Sequence, residues 1–350
     1  MRSGTSMLIG AVVAAFLVLP AVAGDNGWIT WPTKSYPSGA LRVDDVVGNV
    51  RVNVQPGPMK LDVSGNKDLV AGLTVKTEGN TLHISGSDAV SVNVWDWKKW
   101  FDFSHIRDGR DGKLFIKVTV PKGTDVRVED LVGDATIGDT YGPLRLEASA
   151  GDATVGRVTQ ARVSLAGSGK IAMSDVQNEL RIEIAGSGRV TAARVGSVRA
   201  DIAGSGDAQV GAVAGGINVD IAGSGDFTAA RVNGPVRVDI AGSGNVKIAD
   251  GLADPLHIDI IGAGDFFFGG VAVNPRISAM GSGNVRIKAY RGNLSNDGMA
   301  NVQVGDRAMP PSIPPVPPVP PVPPIPRVPA IPPVPPVPPH HSGHGDGDDD

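Results

Sequence analysis

The stretch RVDIAGSGNVKIADGL, Arg237 to Leu252, alternates polar and apolar residues and breaks at Gly242-Ser243-Gly244. It then alternates again and turns near Asp250 and Gly251. Alternation with a period of two is the pattern of a strand buried on one face, and glycine supplies the positive φ of a tight corner. Valine-rich runs this short, split by glycine, exclude helices of useful length. The pentapeptide IAGSG stands at Ile184, Ile202, Ile221 and Ile240, LAGSG at Leu165, and looser forms begin at Ile261 and Met280. The closing glycines, Gly169, Gly188, Gly206, Gly225, Gly244, Gly264 and Gly283, follow one another at 18 to 20 residues. Gly151 and Gly133, each opening a GDAT, extend the series backward.

A second marker keeps the same beat: Val158, Val176, Val195, Val213, Val232, Leu252 and Val273. Two strands and a short third side centred on that series make a three-sided coil, and stacked coils pair each strand with its equivalent above and below. The pattern therefore predicts an all-β chain, a parallel β-helix of about 19-residue rungs. Residues 126–305 would give about nine rungs, a rod of ~40 Å at ~4.8 Å each. The inward columns read as Val, Ile and Ala, which predicts a narrow coil without room for large rings. One rung alone buries little, so stability should come from contacts between neighbours.

Composition agrees with such a chain. Of 350 residues 47 are glycine and 28 proline, with 5% aromatic, too little bulky apolar material for an ordinary large core. The net charge of -4 comes from the acidic end, Asp346 to Asp350, and the rest is balanced. No basic stripe suggests nucleic acid as a partner. There is no cysteine, so disulfides and a lipidated N-terminal cysteine are excluded. The opening MRSGTSMLIGAVVAAFLVLPAVAG reads as a secretory signal peptide cut after Ala23. No second apolar segment is long enough to span a bilayer. The expected organisation is a signal peptide at 1–23, a linker at 24–38 and an irregular β region with an aromatic loop at 39–125. Repeats at 126–305 and a proline-rich tail at 306–350 complete it.

The AGSG corners, GGIN at Gly215 to Asn218, the opening LRVDDVVGNVRVNV from Leu41 and LFIKVTVPKGTDVRVEDLVGDATIG from Leu114 carry a resemblance. Over roughly Gly39 to Gly305 the chain resembles the bacterial exported proteins of the putative auto-transporter adhesin head GIN domain family. The resemblance implies a right-handed β-helix in a cell-envelope protein. No translocator barrel is visible, so autotransport in the usual sense is not expected.

Three chemistries can be weighed against a plain scaffold. Calcium would need a nine-residue glycine-aspartate beat. Here Asp207, Asp226 and Asp265 share their column with Lys170, Arg189, Asn245 and Asn284, so no metal site is expected. A nucleophilic serine would need a histidine within reach. Ser168, Ser187, Ser205, Ser224, Ser243 and Ser282 repeat as a corner ladder instead, and no catalytic residue is expected. The acids Glu183, Asp201, Asp220, Asp239 and Asp259 form an outward column, with Arg181, Arg199, Asn218, Arg237 and His257 two residues earlier. Read plainly, this is a self-neutralising ladder. Read more sharply, Asn218 and His257 leave a weak cation or ligand stripe at Asp220 and Asp259. No cofactor is implied.

Trp95, Trp97, Trp100, Phe101 and Phe103 are clustered, with Lys98 and Lys99, in one segment. They could cap the open end of the core or form a patch for sugar, a membrane interface or a protein. From Met309 the chain runs PPSIPPVPPVPP and onward, a polyproline II spacer. His340, His341 and His344 beside the terminal aspartates read as a disordered, solubilising end.

The expected function is that of an exported, non-enzymatic envelope protein of the periplasm or outer surface, acting in adhesion or surface interaction on a proline-rich stalk. Its partners would be envelope polysaccharide or protein surfaces, with at most peripheral membrane contact. The alternative is a self-associating envelope scaffold. A carbohydrate-active enzyme would require an unrepeated cluster in the first 120 residues.

Overall fold

The computed structural model describes residues 22–23, 27–86, 113–298 and 300–307. Residues 1–21 of the expected signal peptide, the aromatic cluster Trp95, Trp97, Trp100, Phe101 and Phe103, and residues 308–350 lie outside these. The described chain is a parallel β-helix of about nine turns. Along its axis, equivalent residues stack in register. Val219 lies between Ala200 and Val238, and Ile221 between Ile202 and Ile240.

Each rung has the grammar read from Arg237–Leu252. A first side such as Ile217–Gly223 points its apolar residues inward and ends at the glycine corner. After the corner a second side follows, as at Asn245–Ile248, with Val246 and Ile248 buried. The third side is short. Val158, Val176, Val195, Val213 and Val232 stack there as expected. The last two members of that series do not join them. Val232 stacks on Gly251, Leu252 on Val271, and Val273 on Arg291. The rungs above Val232 carry irregular registers, so the sequence marker slips off the column.

The corner is built backbone against backbone. Gly204, Gly223, Gly242, Gly262 and Gly281 hold φ between 117° and 136°. A Cβ on Gly242 would lie 2.2 Å from Gly223 O one rung below. The second glycine is needed for a different reason: a Cβ on Gly244 would lie 2.4 Å from Gly225 O and 2.7 Å from Ile221 Cγ2. The serine between them donates its N–H to the rung beneath, as Ser243 to Gly223 O at 2.8 Å.

The interior holds large rings after all. Phe227, Phe266 and Phe268 are fully buried. The expectation of a ring-free coil fails because small residues share their turns. Ala208 lies directly beneath Phe227, and Ala253, Ala272 and Ala279 are fully buried around the upper phenylalanines' level. Residue size varies along a single inward column, which runs Ala208, Phe227, Val246, Phe266.

The stack begins well before residue 126. Ala40–Asp44 pairs in parallel with Val126–Val132 and Asn49–Val54 with Ala135–Ile137, so this rung underlies the repeats. Beneath it lie Thr81–Ser85 and Leu114–Val120, also parallel. The lower edge is then closed by antiparallel strands. Thr74–Glu78 covers Thr81–Ser85, and Met59–Asn66 covers Leu114–Val120. A one-turn helix, Lys67–Ala71, joins the two, capped by Asn66 Oδ1, which accepts from Asp68 N–H at 2.9 Å. Met59, Leu61, Val63 and Val70 bury their side chains there.

Candidate binding faces

A parallel stack turns each outward residue of a rung into a column ~4.8 Å apart, so the faces are best read as columns. On the first side the basic column is longer than the repeats suggest. Arg42, Arg127, Arg145, Arg162, Arg181 and Arg199 stack in order, followed by Asn218, Arg237, His257 and Arg276. Two residues on run Asp44, Glu129, Glu147, Ser164, Glu183, Asp201, Asp220, Asp239 and Asp259. The signal for the lower members was present in LRVDD, VRVED and LRLEA, which share the pattern of LRIEIAG.

In the lower part every guanidinium finds a carboxylate. Arg42 bridges Asp44 at 2.7 Å and Glu129 at 2.8 Å, and Arg145 meets Glu129 at 3.0 Å. Where Ser164 replaces an acid, Arg162 reaches one rung up to Glu183 at 2.8 Å, beside Arg181 at 2.8 Å. His83 joins the bottom of this ladder, Nε2 to Asp44 Oδ2 at 2.7 Å.

Higher up the pairing thins. Arg199 lies 3.4 Å from Asp201 and 3.5 Å from Asp220, and Arg237 serves Asp239 at 2.9 Å. Asn218 supplies no charge, and its Oδ1 is buried without a hydrogen-bond partner among the described residues. Burial, then a shared hydrogen bond and repulsion from Asp201 and Asp239 on the adjacent rungs, push the Asp220 carboxyl above its ordinary value. Asp259, two residues after His257 on the same strand, has no ion-pair partner among the described residues. The self-neutralising ladder thus describes the lower rungs, and the under-compensated one the upper.

Beside the acids, one residue before the corner, lies a column the sequence reading did not single out. Ala185, Ala203, Ala222 and Ala241 stack outward and are continued by Ile261 and Met280. Ile261 is 62% exposed and Met280 58%. A groove of about 630 Å³ follows this column from Ser164 to Ile261, floored by the alanines and walled by Asp201, Asp220, Asp239 and Asp259. Strand alternation accounts for this column: the alanine stands two places after the outward acid, past a buried isoleucine such as Ile221, and so faces outward too.

The third side carries a wider groove, about 910 Å³, over Val158, Val176, Val195, Val213 and Val232. Its rim alternates charge. Arg194 binds Asp175 at 2.7 Å, and the short Arg231–Asp250 pair lies on the other side of Ala212. The Arg194 guanidinium holds Asp175 below the ordinary carboxylate range, and the Gly251 N–H followed by Arg231 does the same for Asp250.

The remaining candidates resolve into scaffold. Asp226 Oδ1 accepts from Asn245 N–H at 3.0 Å and Nδ2 at 2.9 Å, and Asp265 Oδ1 from Asn284 N–H at 2.8 Å. These side chains tie one rung to the next. Among the described residues no group of three or more His, Asp or Glu side chains is arranged to hold a metal ion. The corner serines are exposed, and none hydrogen-bonds a histidine among the described residues. No described helix is long and apolar enough to cross a membrane.

A family model described as "Putative auto-transporter adhesin, head GIN domain" matches residues 45–230. The chain belongs to this family. Solved structures similar to this GIN-domain chain include one described as a putative adhesin from Bacteroides fragilis. It is 16% identical, covers 81% of this chain and 98% of its own, and has a TM-score of 0.34. Another, from Parabacteroides merdae, also described as a putative adhesin, is 13% identical with coverages of 82% and 99% and a TM-score of 0.30. A third, from Parabacteroides distasonis, is described as a putative lipid binding protein, at 15% identity, coverages of 81% and 97% and a TM-score of 0.31. No curated protein matches the chain.

Proposed function

We propose that this GIN-domain protein is an exported, non-enzymatic adhesion module of the cell envelope, and that it binds through the first side of its β-helix. The observation that carries the reading is the exposed apolar column ending in Ile261 and Met280 beside the under-compensated aspartates. These two are the most exposed of the large apolar residues among the described ones, ahead of Val47, Phe115, Tyr141 and Leu294, and they are stacked on one column; contiguous exposed apolar surface marks interaction sites. Alanines keep the floor flat, so an extended partner can lie across several rungs. The family name supports adhesion, and the leader-like opening supports export. The aromatic cluster Trp95–Phe103 remains a second contact proposed from sequence.

The test is binding of the mature protein to isolated cell-wall and outer-membrane fractions. Ile261→Asp with Met280→Asp should lower binding at least tenfold, with an unchanged far-UV spectrum. Undiminished binding would remove the first side from the reading. Replacement of Trp95, Trp97 and Trp100 by Ala, measured in parallel, reports whether that cluster contributes instead.

A further inference from the structure

The two ends of the stack are finished differently. The lower edge is covered by the antiparallel strands Met59–Asn66 and Thr74–Glu78. At the upper end the terminal strand Asn301–Val304 pairs below with Asn284–Arg291 and has no strand above it among the described residues. Its inward Val302 and Val304 stay half-exposed, whereas Val285 and Ile287 one rung beneath are fully buried. Gly305 N–H donates downward to Ile287 O at 2.9 Å. Peptide groups alternate in direction along a strand, so those of Val302 and Val304 point upward, off the end of the stack. The amide ladder stops there too. Asn301 Nδ2 donates to Asn284 Oδ1 at 3.1 Å, and its own Oδ1 has no donor above it among the described residues.

Exposed edges are ordinarily guarded by lysine, proline, a bulge or a covering segment. This one presents Asn301 and Gln303, both neutral, although the outward position beneath Gln303 is Arg286. The sequence that follows is poorly suited to supply a strand. From Pro310 to Pro339 no more than two residues in a row are not proline. Proline has no N–H to give to a ladder.

We infer that this edge is the contact surface for a second copy of the chain, the two terminal strands pairing antiparallel about a two-fold axis through Gln303. That register sets Val302 opposite Val304 of the partner subunit. Both valines face inward and both have upward peptide groups, so one alignment joins the two hydrophobic cores and pairs those groups together. Gln303 meets its own copy on the outside, with no like-charge contact to oppose it. An isologous contact of this kind uses each upper edge once. The contact therefore makes a head-to-head dimer and does not by itself extend into a filament. The inference goes beyond the adhesion reading and does not rest on it, although a dimer would present two first-side faces and raise avidity.

The experiment is sedimentation equilibrium on the mature full chain, alongside Gln303→Lys and Gln303→Glu. Each substitution places like charges across the axis, on an exposed side chain whose Oε1 accepts one hydrogen bond, from Arg286 Nε at 3.3 Å in the rung below. The expected result is a dimer for the unsubstituted chain, at least tenfold weaker association for either variant alone, and recovery when the two are mixed. Val302 and Val304 amides should also gain hydrogen-exchange protection as the concentration of the unsubstituted chain rises. A monomer at all concentrations would overturn the inference. So would a dimer indifferent to both substitutions, or a mass that keeps rising with concentration. Loss of envelope binding by Ile261→Asp and Met280→Asp leaves the dimer untouched, so the two readings fail separately.

Discussion

In every rung the glycine corner and the outward columns are sequence neighbours, and they differ in what each one touches. The corner packs backbone on backbone: Gly242 lies against Gly223 O and Gly262 against Gly242 O, each with 2.2 Å to a hypothetical Cβ. The columns beside it touch solvent and one another's side-chain tips. The corner therefore repeats almost letter for letter, while the columns drift from Arg199 to Asn218 and from Ala241 to Ile261. Repetition here records a steric requirement. The departures from it, on a face free to vary, are where a partner can be accommodated.

The largest effect that could break this comparison is at the corner. Gly242→Ala combines a φ of 135° with a backbone clash, and it should destabilise by about 3 kcal/mol or more. A denaturant midpoint unchanged by it would show the corner to be tolerant. Phe227→Ala, inside the same part of the stack, should cost about 3–5 kcal/mol through the cavity it leaves, read in the same titration. On the face, Ile261→Asp with Met280→Asp should leave stability within about 0.5 kcal/mol. Binding to envelope fractions should still fall tenfold, and loss of fold would make these residues structural.

Smaller still is Asp220→Asn. Because the Asp220 carboxyl is raised in the fold, the native state holds that proton more readily than the unfolded chain. Its ionisation thus weakens the fold as pH rises from the ordinary carboxylate value through the raised one. The amide should stabilise by a few tenths of a kcal/mol at about pH 7, discounted for partial exposure. It should give no gain at about pH 3, below both values. A gain of equal size at both pH values would assign the effect to packing. Smallest is Arg199→Gln, whose exposed pairs with Asp201 and Asp220 should be worth less than about 0.5 kcal/mol. Its sign at low and high salt separates pairing from simple charge balance.

Much of the fold was legible because the coil is local in sequence. Period-two alternation, GSG at fixed intervals and the valine marker each lie within one rung, so stacking follows from repetition. The base of the stack was hidden for the opposite reason. Leu41 lies beneath Val126 and above Leu82, with an excursion through Met59–Asn66 between them. No local period announces a rung whose neighbours are so far along the chain. The proposed binding face was half legible. The acid column and the gaps at Asn218 and His257 could be read from residue types, but the exposed alanine column resembled filler until Ile261 and Met280 were seen outside the core.

By itself, then, the sequence determined the period, the three sides, the corner and which residues face inward, because each depends on backbone geometry within a single turn. The tertiary structure alone decided how phenylalanine and alanine share the interior and which arginine reaches which acid across rungs. It also decided which end of the stack is covered. Those outcomes depend on volume, side-chain reach and edge pairing between segments distant in the chain, and no single rung contains that information.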